Sequence, residues 1–246
     1  SGLDAGTAEQ CIGSLADRKL VARAVDGIQE LVELEDRRQR DLLYGLIDAR
    51  DRGELHRAAA VSLGRRARRR ATALDELVAE HLLAGGQAAE AWPMLIRLAR
   101  RKLRAARLDE ARRMLRLALD SQAVAEAGLD PDVAQKARRE LFSVEGEILE
   151  RSGDLTGALG AWQRALSAAQ QVGDAAGVTR ARSGVGLVRA ARGETDAAAE
   201  GLEQALKELP RGGPLWPRVA QALSGARLQR GEVDGASALL DQLEEM

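Results

Sequence analysis

The side chains that could carry out chemistry in this sequence are few and lie far apart. There are two histidines, His56 and His81, and one cysteine, Cys11. A zinc site requires three or four closely spaced nitrogen or sulfur ligands, and covalent catalysis requires a base beside the nucleophile. The histidines fall on separate predicted helices, with no second cysteine in the chain. We therefore predict no catalytic residues, no bound metal and no cofactor, with His56 at the surface, His81 in a structural role and Cys11 in the core.

Glycine and tryptophan patterns also indicate packing, not ligand binding. The phosphate-binding pattern G-x-x-x-x-G-K-[ST] does not occur. The Gly-Val-Gly run at 184–186 lacks a preceding strand and the third glycine of a dinucleotide-binding turn. We interpret these glycines as points of close contact between helices. Three tryptophans fall in successive repeat regions, but Trp92 and Trp162 occupy different arms of their predicted hairpins, so we predict core or inter-repeat packing for Trp92, Trp162 and Trp216.

Composition and charge exclude several classes of protein. Lys and Arg number 37 against 38 Asp and Glu, so no overall charge favours nucleic acid or membrane. Apolar residues make up 45% of the chain and aromatic residues 2%, which favours close-packed helices over strands. One cysteine excludes a disulfide scaffold, and no apolar run approaches the ~18–20 residues of a membrane span. We expect a helical protein with no membrane partner, located in the cytoplasm.

A cluster of arginines is the one feature that stands out from this balanced charge. Its members are Arg65, Arg66, Arg68, Arg69 and Arg70, followed by Arg97, Arg100, Arg101, Lys102 and Arg104. Within a helix, Arg97, Arg101 and Arg104 would share one side. Guanidinium groups bind carboxylates and phosphates, so the cluster could be a solvated surface, a docking site for an acidic protein, or a nucleic-acid contact. The lack of interleaved aromatic residues makes nucleic acid an unlikely partner.

A short pattern recurs along the chain: a small residue, four further positions, an alanine and then an apolar run. It occurs at 86–91, 106–111, 153–158, 193–198 and 231–236. Glycine can end a helix in the left-handed conformation, the polar residue after it can cap the next helix, and a small residue allows close helix approach. We therefore predict helical hairpins in which Gly153, Gly193 and Gly231 each end a helix with a left-handed backbone.

These hairpins resemble tetratricopeptide repeats (TPR). The resemblance is carried by Gly153, Ala158 and Ala165, by Gly193, Ala198 and Ala205, and by Gly231 and Ala236. The units recur at a longer spacing than the ~34 residues usual for the family, and its aromatic positions are mostly filled here by Leu, Val or Ala. The resemblance implies divergent repeats, stacked as a superhelix that binds protein or peptide partners.

The amino-terminal segment has a different pattern, with Asp26-Gly27 between two β-compatible runs in residues 20–34. Asp-Gly is a strong signal for a two-residue hairpin turn. Such a turn would pair Val25 with Ile28, Arg23 with Glu30 and Val21 with Val32. A continuous helix over the same residues is the alternative, because several of them are good helix formers.

Predicted helices flank this hairpin on both sides. The first has Cys11, Ile12 and Leu15 on one face, and the second directs Leu42, Leu43, Leu46 and Ile47 inward. This order resembles the end of a winged-helix domain. Over roughly 12–125 the chain resembles bacterial proteins in which a STAND-class signalling ATPase, fused to a kinase or to a maltose-regulator-type transcription factor, continues through a winged helix into TPR-like repeats. The resemblance implies that this chain is the carboxy-terminal part of a longer protein.

We therefore predict an all-α fold, a TPR-like α-α superhelix with a small N-terminal winged-helix-like segment that contains one β-hairpin. The predicted division is a winged-helix-like segment at 1–64, a basic linker with a connecting helix at 65–87, and about four helical hairpins at 88–246. The predicted function is a non-catalytic protein-interaction or sensor scaffold, the regulatory arm of a larger bacterial ATPase, kinase or transcriptional regulator. The alternative is a nucleic-acid-binding regulator that uses the winged-helix segment and the arginine cluster.

The predicted binding surface lies on the first helix of each hairpin, near 88–104, 131–151, 174–192 and 213–229. Candidate partner-binding residues are Arg97, Arg101 and Arg104 on the first of these helices and Glu140, Glu145 and Glu147 on the second. A groove graded from positive to negative would orient an extended peptide, or another domain of the parent protein, by charge.

Overall fold

The computed structural model describes residues 5–18, 21–26, 29–34, 36–67 and 74–245. Within these residues there are twelve helices and one two-stranded ribbon. The helices are α1 (Ala5–Asp17), α2 (Arg37–Leu46), α3 (Ala49–Ala67), α4 (Asp75–Ala84), α5 (Ala88–Arg104), α6 (Leu108–Ala127), α7 (Pro131–Arg151), α8 (Leu155–Gln171), α9 (Ala175–Ala191), α10 (Thr195–Glu208), α11 (Trp216–Gln229) and α12 (Val233–Glu244). Contacts divide the chain into two compact units, Ser1–His56 and Arg57–Met246. The predicted division at 1–64, 65–87 and 88–246 remains a prediction.

The ribbon of the first unit pairs β1 (Val21–Asp26) with β2 (Gln29–Leu34) in antiparallel fashion. The predicted register is wrong by two positions. Val21 pairs with Leu34, Arg23 with Val32 and Val25 with Glu30. The reason is that Asp26 belongs to the ladder, opposite Gln29, so the connection lies one residue later than predicted. The predicted turn residue Gly27 lies outside the described residues.

The predicted inward face of α2 is also wrong. Leu42, Leu43 and Leu46 are 71%, 50% and 82% exposed. Within the described part of this unit α2 contacts β2, and this contact leaves the three leucines exposed. The prediction of a core position for Cys11 fails too, since this residue is exposed. The phenol of Tyr44 lies 2.7 Å from Nε2 of His56, which links α2 to α3.

The second unit stacks four helical hairpins, formed by α5 with α6, α7 with α8, α9 with α10 and α11 with α12. Each of α6, α8 and α10 also packs on the first helix of the following hairpin. The first helices contact one another directly, α5 with α7, α7 with α9 and α9 with α11. They therefore form one continuous face, which we call the first-helix face.

The turns within the hairpins confirm the predicted left-handed glycines. The φ angles of Gly153, Gly193 and Gly231 are +80°, +76° and +78°. After Gly153, the N–H of Asp154 donates to the carbonyl of Leu149 at 3.0 Å, which closes the end of α7. The Asp154 carboxylate then caps α8 by accepting from a backbone N–H at 2.9 Å. The predicted side-chain cap is wrong for α10 and α12, where the N-cap glutamates accept no such bond.

Gly193→Val is expected to lower the free energy of unfolding by about 1 kcal/mol or more, because a β-branched residue is strained at positive φ. Nothing lies within 4 Å of a Cβ built at Gly193, so the effect would come from the backbone alone. The reverse case is Ala106, which holds φ +58° in the corresponding turn before α6. Ala106→Gly should stabilise the protein. Urea unfolding measures the stability change in both variants. Changes of the same sign in the two variants would contradict the proposed role of positive φ at these turns.

The predicted packing roles of the tryptophans and of the glycine run at 184–186 are confirmed. Trp92, Trp162 and Trp216 are almost fully buried. Trp162 of α8 inserts its indole between Gly146 of α7 and Gly184 of α9. A Cβ built at Gly146 would stand 2.8 Å from Cε2 of the indole, and one built at Gly184 would be closer still. The two glycines therefore leave the space that the ring occupies.

Candidate functional site

The first-helix face carries a cavity of about 440 Å³ between α7, α9 and α11. We call it the tryptophan cavity, because the buried Trp162 reaches it from α8. Along α9, residues spaced by three or four positions line it, so a single helix face forms much of its wall. The lining residues are Arg139, Glu147, Glu150, Trp162, Ala176, Gly177, Arg180, Gly184, Leu187, Pro214, Leu215 and Arg218. The cavity thus combines an apolar lining with charged groups.

A second cavity, of about 510 Å³, lies between α5 and α7. We call it the cationic cavity. Its lining residues are Pro93, Ile96, Arg97, Val133, Lys136, Ala137, Arg139, Glu140, Val172 and Asp174. Arg139 lines both cavities, so the two adjoin along the same face. Together they form what we call the first-helix groove, extending from α5 to α11.

Every carboxylate that lines this groove is paired with an arginine. Glu140 lies 2.6 Å from Arg100 of α5, and Glu150 lies 2.8 Å from Arg218 of α11. The remaining pairs join Glu147 to Arg180 and Asp174 to Arg139. Three of these pairs connect α7 to another first helix, and so they tie the stacked hairpins together across the groove.

Arg100 is the most enclosed cation of these pairs. Burial lowers the pKa of its guanidinium, while the nearby Glu140 opposes that effect. Its Nε–H is buried and donates to no acceptor among the described residues. The Arg100–Glu140 pair is therefore a structural contact between α5 and α7, and its charges are not available to a partner.

Three cations at the groove have no such partner. Arg97, Arg104 and Lys136 are exposed, and no carboxylate pairs with them within the part of the chain that the structure describes. Arg97 and Lys136 line the cationic cavity, and Arg104 lies one helical turn beyond Arg100. The groove therefore has an excess of positive charge near α5 and the first half of α7.

The predicted partner-binding residues divide into two groups. Arg97, Glu140 and Glu147 line the two cavities, and Arg104 lies beside them. Arg101 instead points to α4, where it bonds to Asp75 at 2.9 Å. Their role in binding remains a prediction.

Glu145 belongs with the residues that the structure places away from the groove. It pairs with Arg164 of α8 at 2.8 Å, and that guanidinium stacks over the ring of Phe142. The predicted gradient from positive to negative also needs correction, because both groove glutamates of the predicted set are neutralised by arginines.

Sequence reasoning missed several groove residues, including Lys136, Arg139, Arg180 and Arg218. A usable signal existed on α9, where residues 177, 180, 184 and 187 follow helical spacing and combine glycine, arginine and leucine. The pattern indicates a shallow, partly polar face. Identifying it as a groove also required knowing that α7 and α11 lie on either side.

No helix among the described residues is both long enough and apolar enough to cross a membrane. No three His, Cys, Asp or Glu side chains in these segments are grouped as a metal ion would require.

Comparison with known proteins gives matches among solved structures only. No protein-family model matches the chain, and no curated protein sequence matches it. The crystal structure of BtubC (BKLC) from P. vanneervenii matches with a TM-score of 0.52 and 19% identity, covering 81% of this chain and 91% of that one. The crystal structure of YrrB, a TPR protein with an unusual peptide-binding site, matches with a TM-score of 0.49 and 17% identity, covering 84% of this chain and 88% of that one.

A putative kinesin light chain from Podosopora anserina, with nearly identical TPR-like repeats, gives a TM-score of 0.47 and 17% identity, covering 80% of this chain and 93% of that one. At sequence identities this low, the similarity shows a shared fold only. The stacked hairpins, their left-handed glycine turns and the likeness to BtubC agree on one architecture. The chain has a TPR-like helical repeat fold.

Proposed function

We propose that this chain is a non-catalytic scaffold that binds a protein or peptide segment in the first-helix groove. The observation that carries the proposal is that two cavities, which share Arg139, lie side by side between α5 and α11. Stacked hairpins bury surface against their neighbours and leave a long face free, which suits an extended partner. Apolar surface in the tryptophan cavity would supply contact area, and the guanidinium groups around it would donate hydrogen bonds to the partner's carbonyls.

Blocking the tryptophan cavity tests this proposal. Ala176 is exposed and lines the cavity, so Ala176→Trp should fill its mouth without disturbing the core. The matched control is Ser167→Trp at an exposed position on α8. Peptides selected from a random display library against the full chain should bind the Ala176→Trp variant at least about tenfold more weakly. The control should bind as the parent protein does. Equal binding by all three proteins would refute the groove as the binding site.

We also place this scaffold as the carboxy-terminal regulatory arm of a larger cytoplasmic bacterial ATPase, kinase or transcriptional regulator. Support comes from the order of elements, with a helix, a ribbon and a helix preceding the repeats, as at the end of a winged-helix domain. The test is the gene sequence before residue 1. A phosphate-binding loop encoded there would support the placement, and a gene that begins at residue 1 would refute it.

The alternative of a nucleic-acid-binding regulator has weaker support. Within the arginine cluster, Arg101 is paired with Asp75, and Lys102 with Glu76 and Glu110. A phosphate would have to displace these carboxylates before it could bind. The side chains of Arg68, Arg69 and Arg70 lie outside the described residues.

A further inference from the structure

We infer that the segment bound in the first-helix groove is an acidic peptide with one apolar side chain a few residues from its acidic run. The acidic run would lie against Arg97 and Lys136, and the apolar side chain would enter the tryptophan cavity. This inference rests on the proposed function and specifies the chemistry of its partner.

Positive charge remains at the groove after the internal ion pairs have formed. The groove carboxylates Glu140, Glu147, Glu150 and Asp174 each have an arginine partner. Arg97, Arg104 and Lys136 remain exposed and unpaired in the described structure. A partner with carboxylates would meet these cations without breaking an existing pair. A basic partner would be repelled by them and would find no free carboxylate in the groove.

The tryptophan cavity has a partly apolar lining. Leu187, Pro214 and Leu215 contribute apolar surface, and the largely buried Trp162 lies at the inner wall. The charged residues at this cavity are all in ion pairs, Glu147 with Arg180, Glu150 with Arg218 and Arg139 with the nearby Asp174. This part of the groove therefore favours an apolar side chain and has little preference for charge.

The spacing of the two features follows from the stacking of the helices. The cationic cavity lies between α5 and α7, and the tryptophan cavity begins on the other side of α7. Packed helices are separated by about 8–10 Å, and an extended chain advances about 3.3 Å per residue. An extended peptide would therefore place its apolar side chain about three residues from its acidic run.

Labelled peptides of defined sequence test the inference on the full chain. The acidic probe has three glutamates, two serines and one leucine, followed by a Gly-Ser tail. One counterpart replaces the glutamates with lysines, and another replaces the leucine with serine. Fluorescence anisotropy should show that the acidic probe binds and that added salt weakens this binding. Either counterpart peptide should bind at least about tenfold more weakly than the acidic probe.

Charge reversal on the protein provides the matched comparison. Arg97→Glu combined with Lys136→Glu should weaken binding of the acidic probe by about tenfold or more. Arg116→Glu combined with Lys207→Glu makes the same change in net charge at exposed positions on α6 and α10, and it should leave binding within about twofold. Circular dichroism of both variants establishes that the helices are retained. Equal losses in the two variants would overturn the inference, as would a lysine probe that binds as tightly as the acidic one.

Failure of the inference can be distinguished from failure of the proposed function. If library-selected peptides bind the Ala176→Trp variant more weakly but are not enriched in acidic residues, the groove binds peptides and the inferred peptide chemistry is wrong. If Ala176→Trp changes the affinity of no selected peptide, the proposed function is wrong, and the inference fails with it.

Discussion

Replacing Gly184 with alanine is expected to lower the free energy of unfolding by about 3 kcal/mol, because the added methyl group would overlap the indole of Trp162. The ring cannot shift away easily, since Gly146 packs closely on it from α7. Alanine would normally stabilise a helix relative to glycine, so the sign of the effect reports packing and not propensity. Urea unfolding followed by far-UV circular dichroism measures the change.

The matched control is Gly225→Ala in α11. Gly225 is exposed, and nothing lies within 4 Å of a Cβ built there. This substitution should therefore stabilise the protein by about 0.5–1 kcal/mol. If Gly184→Ala also stabilised the protein, the close approach of α8 and α9 through Trp162 would be contradicted.

Truncation of Trp162 is expected to have a larger effect than Gly184→Ala. Trp162→Ala would remove a buried ring that contacts both α7 and α9, and it should cost about 3–5 kcal/mol of stability. Loss of the ring would also remove the obstacle to a methyl group at Gly184. The cost of Gly184→Ala should therefore fall by about 2 kcal/mol or more when Trp162 is already alanine.

A double-mutant cycle separates this coupling from general destabilisation. Trp162→Ala combined with Gly225→Ala should give an additive change, because Gly225 makes no contact with the ring. Additivity in the pair with Gly184 would show that the ring and the glycine act independently, which would contradict the packing described above.

Trp162 links the stability of the stack to the groove, because the same ring packs between α7 and α9 and lines the tryptophan cavity. Changes at Gly184 should therefore alter both unfolding and peptide binding. Changes at Arg97, Lys136 or Ala176 lie at exposed positions, and they should alter binding with little effect on stability. This separation allows the two properties to be measured independently.

The features that could be predicted from the sequence alone depend on interactions between residues close together in the chain. The left-handed turns at Gly153, Gly193 and Gly231 close through bonds between residues a few positions apart, so a short pattern was enough to locate them. The burial of three tryptophans followed from their size and apolar character. The helical hairpins and the TPR-like repeat architecture were predictable for the same reason.

The tertiary structure alone decided which side chains face the groove and which sides of the helices are covered. Adjacent helix positions differ by about 100° in direction, so Arg100 reaches Glu140 of α7 while Arg101 reaches Asp75 of α4. The sequence shows the spacing of such residues but not which helix lies on each side. The same limit explains α2, whose leucines form an inward-facing pattern, although the contacts of α2 with β2 and α3 leave them exposed. Contacts between residues distant in sequence set the direction of each face, and therefore the composition of the binding groove.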